Sequence, residues 1–177
     1  MTKTIALIGA LDTKGHEFAF VKAAIERSGF RTLLIDVGVM GEPAVAPDIS
    51  ADAVAAAGGV SLAELRTQAD RGRAIDAMAR GAAALVKELH HQGLFDGILG
   101  MGGSAGTAIA TASMRALPVG TPKLMVSTLA SGDVSPYVGA TDIVMMPAVG
   151  GVGGGERSRG LPRFSRARPP PRPGGAP

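Results

Sequence analysis

The stretch Gly100-Met101-Gly102-Gly103-Ser104-Ala105-Gly106-Thr107 carries the strongest chemical signal in the sequence, because it joins a short apolar run to a small-residue helical pattern. Consecutive glycines remove Cβ obstruction, and the first amides of a helix point outward unpaired at the positive end of its dipole. An anionic group is expected to rest on Gly102, Gly103, Ser104, Ala105, Gly106 and Thr107, with Ser104 and Thr107 adding hydroxyls. The plainer alternative is that these glycines only let a helix pack close to a sheet. A second stretch, Ala10-Leu11-Asp12-Thr13-Lys14-Gly15-His16-Glu17, reads as a loop. Its Lys14 is a point charge, Thr13 a hydroxyl and Gly15 a place for close approach, all suited to phosphate. It is not a P-loop, since the lysine precedes the second glycine and no Ser or Thr follows that glycine. Asp12 and Thr13 alternatively cap a helix. A third stretch, Thr128-Leu129-Ala130-Ser131-Gly132-Asp133, would bring Thr128, Ala130, Ser131 and Gly132 to the same cleft if its strand neighbours that of the glycine loop.

Two sharper templates overlap the glycine loop. Gly100-x-Gly102-x-x-Ala105 fits a relaxed dinucleotide fingerprint, but no acid closes the next apolar run, Leu124 to Thr128. Asp36 ends another run and is a candidate ribose holder. Gly102-Gly103-Ser104-Ala105-Gly106 also spells a nucleophile elbow, which would make Ser104 a hydrolase nucleophile on a small anionic metabolite. His16, His90 and His91 all precede Ser104, so the usual acid-then-histidine order fails within this chain. Adjacent His90 and His91 match no metal-ligand spacing, and no protein-held metal is expected. Met40, Met101, Met125, Met145 and Met146 read as core.

These residues need a frame. Five nearly continuous apolar runs, Thr4–Gly9, Thr32–Val37, Gly97–Met101, Leu124–Thr128 and Asp142–Met146, have the look of strands buried on both faces. Helical periodicity lies between them: Phe18, Val21 and Ile25; then Ile75, Met78, Ala82, Leu85, Val86 and Leu89; then a small-residue helix from about Ser104 to Arg115. The alternation predicts an α/β fold, a doubly wound, Rossmann-like parallel sheet of about five strands with helices on both faces. The stretch from Gly38 to Arg73 is irregular, with a short helix at Asp52–Ala57 and a capping-box spelling, Ser61 with Glu64, before another. Such an excursion above a sheet is expected to cover a ligand cleft.

The 177 residues make about one domain, 46% hydrophobic and without cysteine, which excludes a disulfide framework and thiol catalysis and fits a cytoplasmic setting. No apolar window approaches a membrane span. The net charge of +3 is unevenly placed: residues 1–150 hold 12 Lys and Arg against 14 Asp and Glu, whereas residues 151–177 hold six Arg and one Glu. The Arg/Pro/Gly-rich residues 150–177 read as a disordered and non-native tail, as a shifted reading frame would produce. Its other reading, a nucleic-acid arm, lacks the aromatics that stack bases, so nucleic acid is not the expected partner.

Thr4-Ile5-Ala6-Leu7-Ile8-Gly9, Leu11-Asp12-Thr13-Lys14-Gly15-x-Glu17, the glycine loop, Ser127-Thr128-Leu129-Ala130-Ser131-Gly132-Asp133 and Tyr137-Val138-Gly139-x-x-Asp142-Ile143 together resemble a known family. It is the Tm-one-like ATP-binding family, an otherwise uncharacterised group that includes a plant tobamovirus-resistance protein. The resemblance covers residues 1 to about 149 and implies the N-terminal nucleotide-binding domain of a two-domain protein roughly twice this length. It implies ATP as ligand, with any magnesium arriving on the nucleotide. Asp12, Thr13 and Lys14, Gly102 to Thr107, and Thr128, Ala130, Ser131 and Gly132 are the residues that the resemblance places along the cleft. It also implies a protein partner, as for the plant member; a homodimer is the other expectation. After Val149 the sequence leaves the family pattern, so the chain reads as a fragment whose last strand lacks its covering helix.

Overall fold

The computed structural model describes residues 2–148. The tail, expected to be disordered and non-native, therefore lies outside the described residues. Five strands form one parallel sheet: β1 (Thr4–Gly9), β2 (Arg31–Asp36), β3 (Gly97–Gly102), β4 (Lys123–Ser127) and β5 (Val144–Pro147), in the order β2-β1-β3-β4-β5. The α/β, doubly wound arrangement expected from the alternating pattern is the one found. Interior strand β1 alternates its side chains between two apolar layers. Leu7 packs with Leu11, Phe18 and Leu34 beneath helix α1 (Leu11–Arg27), whereas Ala6 and Ile8 face the larger core. That second layer is built by α2 (Ala51–Ala57), α3 (Leu62–Gln68), α4 (Arg71–His91) and α5 (Ser104–Arg115).

Local chemistry explains most boundaries. Ser50, Ser61 and Asp70 each accept a hydrogen bond from the backbone amide three residues on, from Ala53, Glu64 and Arg73, and so start α2, α3 and α4. The α2 and α4 backbones cross closely at Gly81, where a Cβ would sit inside the Val54 carbonyl oxygen. The irregular segment after β2 returns along that strand's open edge. The Ile49 and Asp48 amides donate to the Leu34 carbonyl, and the Asp48 carboxylate accepts from the Leu34 amide at 2.7 Å, so backbone groups that would otherwise template aggregation are occupied.

Two expectations need correction. The eight-residue loop after β1 is a single residue, Ala10: α1 starts at Leu11, with a kink at Lys14 (φ −130°, ψ 18°). Gly15 lies inside the helix, and its missing Cβ makes room for Ala44, whose Cβ is 2.8 Å from where that atom would be. The last strand begins two residues later than expected, since Asp142 is a loop anchor that accepts from the Gly120 amide at 2.7 Å and from Lys123 Nζ at 2.6 Å. Short α6 (Ser135–Val138) precedes it. Val144 and Met146 of β5 are 62% and 52% exposed. Among the described residues no helix is long and apolar enough to cross a membrane.

Candidate functional site

β1 and β3 lie side by side, but the chain leaves them in opposite directions, toward β2 from β1 and toward β4 from β3. Connections that diverge at the carboxyl ends of neighbouring strands leave a crevice. There a cleft of about 530 Å³ opens, within the range of small-molecule sites. Its near wall is the start of α1, with Ala10, Asp12, Thr13 and Lys14. Its floor is Met101 to Gly106 and Ile109, and its far wall comes from Val37–Met40 and the segment Leu65 to Ile75. The irregular excursion thus does cover the cleft, as expected.

The helix start that forms the floor is uncapped. Gly103 is the N-cap of α5 (φ −88°, ψ −154°), and no side chain caps it. The Thr107 amide closes the first helical turn onto the Gly103 carbonyl at 2.8 Å, which leaves the amides of Ser104, Ala105 and Gly106 ahead of it outside that ladder. Packing accounts for some of the glycines. A Cβ on Gly100 would meet Ala110 Cβ and Met125 Sδ at 2.8 Å, and one on Gly102 would meet Gly106 Cα at 2.8 Å. Gly103 differs: the nearest atom to its would-be Cβ is Thr128 Oγ1 at 3.7 Å, an ordinary contact. Its backbone conformation is open to any residue, so neither fold nor packing demands a glycine there.

The remaining sequence-derived residues divide. Lys14 sits in the cleft wall at the helix kink. Thr13 Oγ1 donates to the Ala10 carbonyl at 3.3 Å. Asp12 lines the cleft, but its Oδ2 accepts from the Met40 and Gly41 amides at 2.9 and 3.1 Å, so it holds the opposite wall in place. Its Oδ1 is buried without a partner, pressed against Gly38. Thr107 is fully buried, and its hydroxyl shares a 2.7 Å hydrogen bond with Ser127 Oγ. It ties α5 to β4 rather than facing the cleft. The third loop lies beside the floor, because the Thr128 amide donates to the Gly102 carbonyl at 3.2 Å. Thr128 adjoins Gly103, whereas Ala130, Ser131 and Gly132 follow outside the cleft lining.

Asp36 is no ribose holder. It is buried, and its Oδ1 accepts from the Leu11 amide at 3.0 Å and the Gly38 amide at 2.8 Å, so it fastens both chain segments that leave the sheet here. Burial pushes its carboxyl above the usual aspartate range, against the pull of those two amides. Ser104 is exposed in the first turn of α5, but it lacks the strain of an elbow: among the described residues Ala69 is the only non-glycine with positive φ. No histidine lines the cleft. His90 lies at the far end of the domain, with Nε2 3.4 Å from Thr121 Oγ1. Among the described residues no cluster of three or more acids and histidines could hold a metal. The methionines expected in the core also divide: Met125 is fully buried, but Met40 is 88% exposed on the cleft's lip, carried outward by the turn that Asp12 holds.

Sequence reasoning did not single out Arg66, Ala69 or Arg71, and read Ile75 only as part of a helical face; all four complete the far wall. Arg66 donates from Nε to the Val39 carbonyl at 2.8 Å and from Nη2 to the Gly41 carbonyl at 3.0 Å. Ala69 bridges α3 and α4 in the left-handed region at φ 50°. The capping spelling at Ser61 marked the first of these helices, but nothing local says that their junction turns back over the strands.

The sequence is similar to those of known proteins. A UPF0261 protein of Clostridium tetani is 51% identical over 154 residues, covering 87% of this chain but only 38% of the relative. One from Rhizobium meliloti is 48% identical over 83% of the chain and 36% of its own length. The ToMV susceptible protein tm-1(GCR26) of Solanum lycopersicum is 37% identical over 79 residues, 45% of this chain and 10% of that protein. The chain thus spans well under half of the bacterial relatives it matches. With residues 3–158 matched by the model of the uncharacterised protein family UPF0261 N-terminal domain, the chain belongs to that family.

Proposed function

We propose that this domain binds a nucleoside triphosphate, ATP in the first instance, with its phosphates on the Ser104–Gly106 amides and its base toward the apolar far wall. One observation carries the reading: α5 starts without a cap, at a glycine that packing does not require, on the floor of a cleft of about 530 Å³. A Ser, Asn or Asp at that position would stabilise the helix by a few tenths of a kcal/mol over glycine, and the sequence leaves that gain aside. Lys14 and Arg71, both on the cleft walls, supply the positive charge that a polyphosphate needs. Magnesium would come with the nucleotide, since the cleft's carboxylates are Asp12, which holds two backbone amides through Oδ2 and buries Oδ1 against Gly38, and Asp70, which caps α4.

Binding is the whole of this reading. A hydrolase using Ser104 would need a base within reach, and the cleft lining contains no histidine. The test is a thermal-shift and calorimetric titration of the full chain with MgATP. At 100 times Kd, binding stabilises by about 2.7 kcal/mol, a rise of roughly 5–10 °C in Tm. No shift and no heat at millimolar MgATP would refute the proposal.

A further inference from the structure

We propose that the cleft holds purine nucleotides by their phosphates without reading the edge of the base, so that ATP and GTP bind within about tenfold of each other. The inference rests on the nucleotide reading above and concerns the other end of the same site.

Telling adenine from guanine takes polar groups placed against the base edge. A site built to hydrogen-bond one ligand rejects its analogue by factors of 10⁴–10⁵, whereas an apolar pocket discriminates only by size, about 10–200-fold. Adenine and guanine are close in size. The wall available to the base consists of Val39, Leu65, Ala74, Ile75 and Ile109, none with a polar side-chain atom.

Most of the polar groups around that wall are engaged within the protein. In the strap Gly38–Gly41, the Gly38 amide donates to Asp36, and the Met40 and Gly41 amides donate to Asp12. The Val39 and Gly41 carbonyls accept from Arg66, which commits that guanidinium as well. Asp70 caps α4 through the Arg73 amide at 3.0 Å. Of the side chains, Lys14, Arg71 and Ser104 remain, together with the second oxygen of Asp70 at the start of α4, while Asp12 Oδ1 is buried against Gly38. The first two are cations with donors only, suited to phosphate, and Ser104 belongs to the α5 turn.

Calorimetry of the full chain with MgATP, MgGTP and inorganic tripolyphosphate separates the two levels of the argument. Tripolyphosphate displacing both nucleotides, with ATP and GTP affinities within tenfold, is the expected result. A preference beyond tenfold with tripolyphosphate still competing overturns this inference and leaves the phosphate reading standing. Nucleotide binding that tripolyphosphate cannot displace, or no binding by any of the three, overturns both. As a second arm, Ile75→Gln should weaken ATP and GTP together, by about tenfold, and leave tripolyphosphate unchanged. Nucleotide affinities unaffected by that substitution would place the base elsewhere and end the proposal.

Discussion

Replacing Gly103 by Asp should strengthen the fold and abolish the proposed binding, two effects of opposite sign from one side chain. A Cβ fits at this position, with its nearest neighbour 3.7 Å away, and φ of −88° suits an ordinary residue. The new carboxylate would sit at the N-cap of α5 and accept from the amides now left outside the ladder. Asp over Gly as a cap is worth a few tenths of a kcal/mol, and its charge at the helix's positive end adds about 0.3–1 kcal/mol. A total near 1 kcal/mol corresponds to a rise of roughly 2–4 °C in Tm without ligand. In the complex, the same charge would stand about 4 Å from a phosphate oxygen, a repulsion of roughly 4 kcal/mol at an effective dielectric constant of 20, or about a 10³-fold loss of affinity. Gly103→Asn separates the parts: it caps without charge, so stability still rises, and affinity falls only about tenfold through competition for one amide. Denaturant unfolding and calorimetry of the three proteins check both halves. If the Asp variant is less stable than the parent, the helix start is not free as described. If it still binds MgATP within tenfold of the parent, the phosphates are not there.

Three further outcomes follow from the packing. Ala69→Gly should stabilise the chain by about 1 kcal/mol in urea unfolding, because the left-handed conformation at φ 50° costs alanine energy that glycine does not incur. Gly81→Ala should cost about 1–3 kcal/mol or more, since its methyl group would collide with the Val54 carbonyl and force α2 off α4; an unchanged urea midpoint would contradict the close crossing. Asp36→Asn should be at least as stable as the parent at pH 7, because the amide oxygen can still accept from Leu11 and Gly38 without a buried charge. Burial raises the carboxyl's folded pKa, so the parent gains stability as pH falls through that value, and its deficit against the Asn variant should shrink toward pH 4.

The frame was legible in the sequence because strands buried on both faces announce themselves as unbroken apolar runs, and α5 was legible end to end, Ser104 to Arg115. The cleft was half legible. The glycine loop's place after a strand marked the floor, but which glycines serve packing depends on partners remote in sequence: Met125 and Ala110 for Gly100, nothing close for Gly103. Gly15 looked like a turn because the sequence does not reveal Ala44 lying over it. Thr107 and Asp36 looked available for a ligand because polar residues at strand and helix ends usually are. Ser127 on the neighbouring strand claims the first, and two amides at the parting of the chain claim the second.

The strand order carries a consequence for synthesis. β1 is made first yet lies inside the sheet, and one of its two flanking strands, β3, begins only at Gly97. At 5–20 residues per second, a ribosome needs roughly 4–18 s after finishing Gly9 to reach that strand. Throughout that interval the backbone edge of Ile5 to Ile8, which ends up paired with β3, has no partner from its own chain. The nascent domain thus exposes an apolar strand edge for seconds before its sheet can close, the period in which a holding chaperone would matter most.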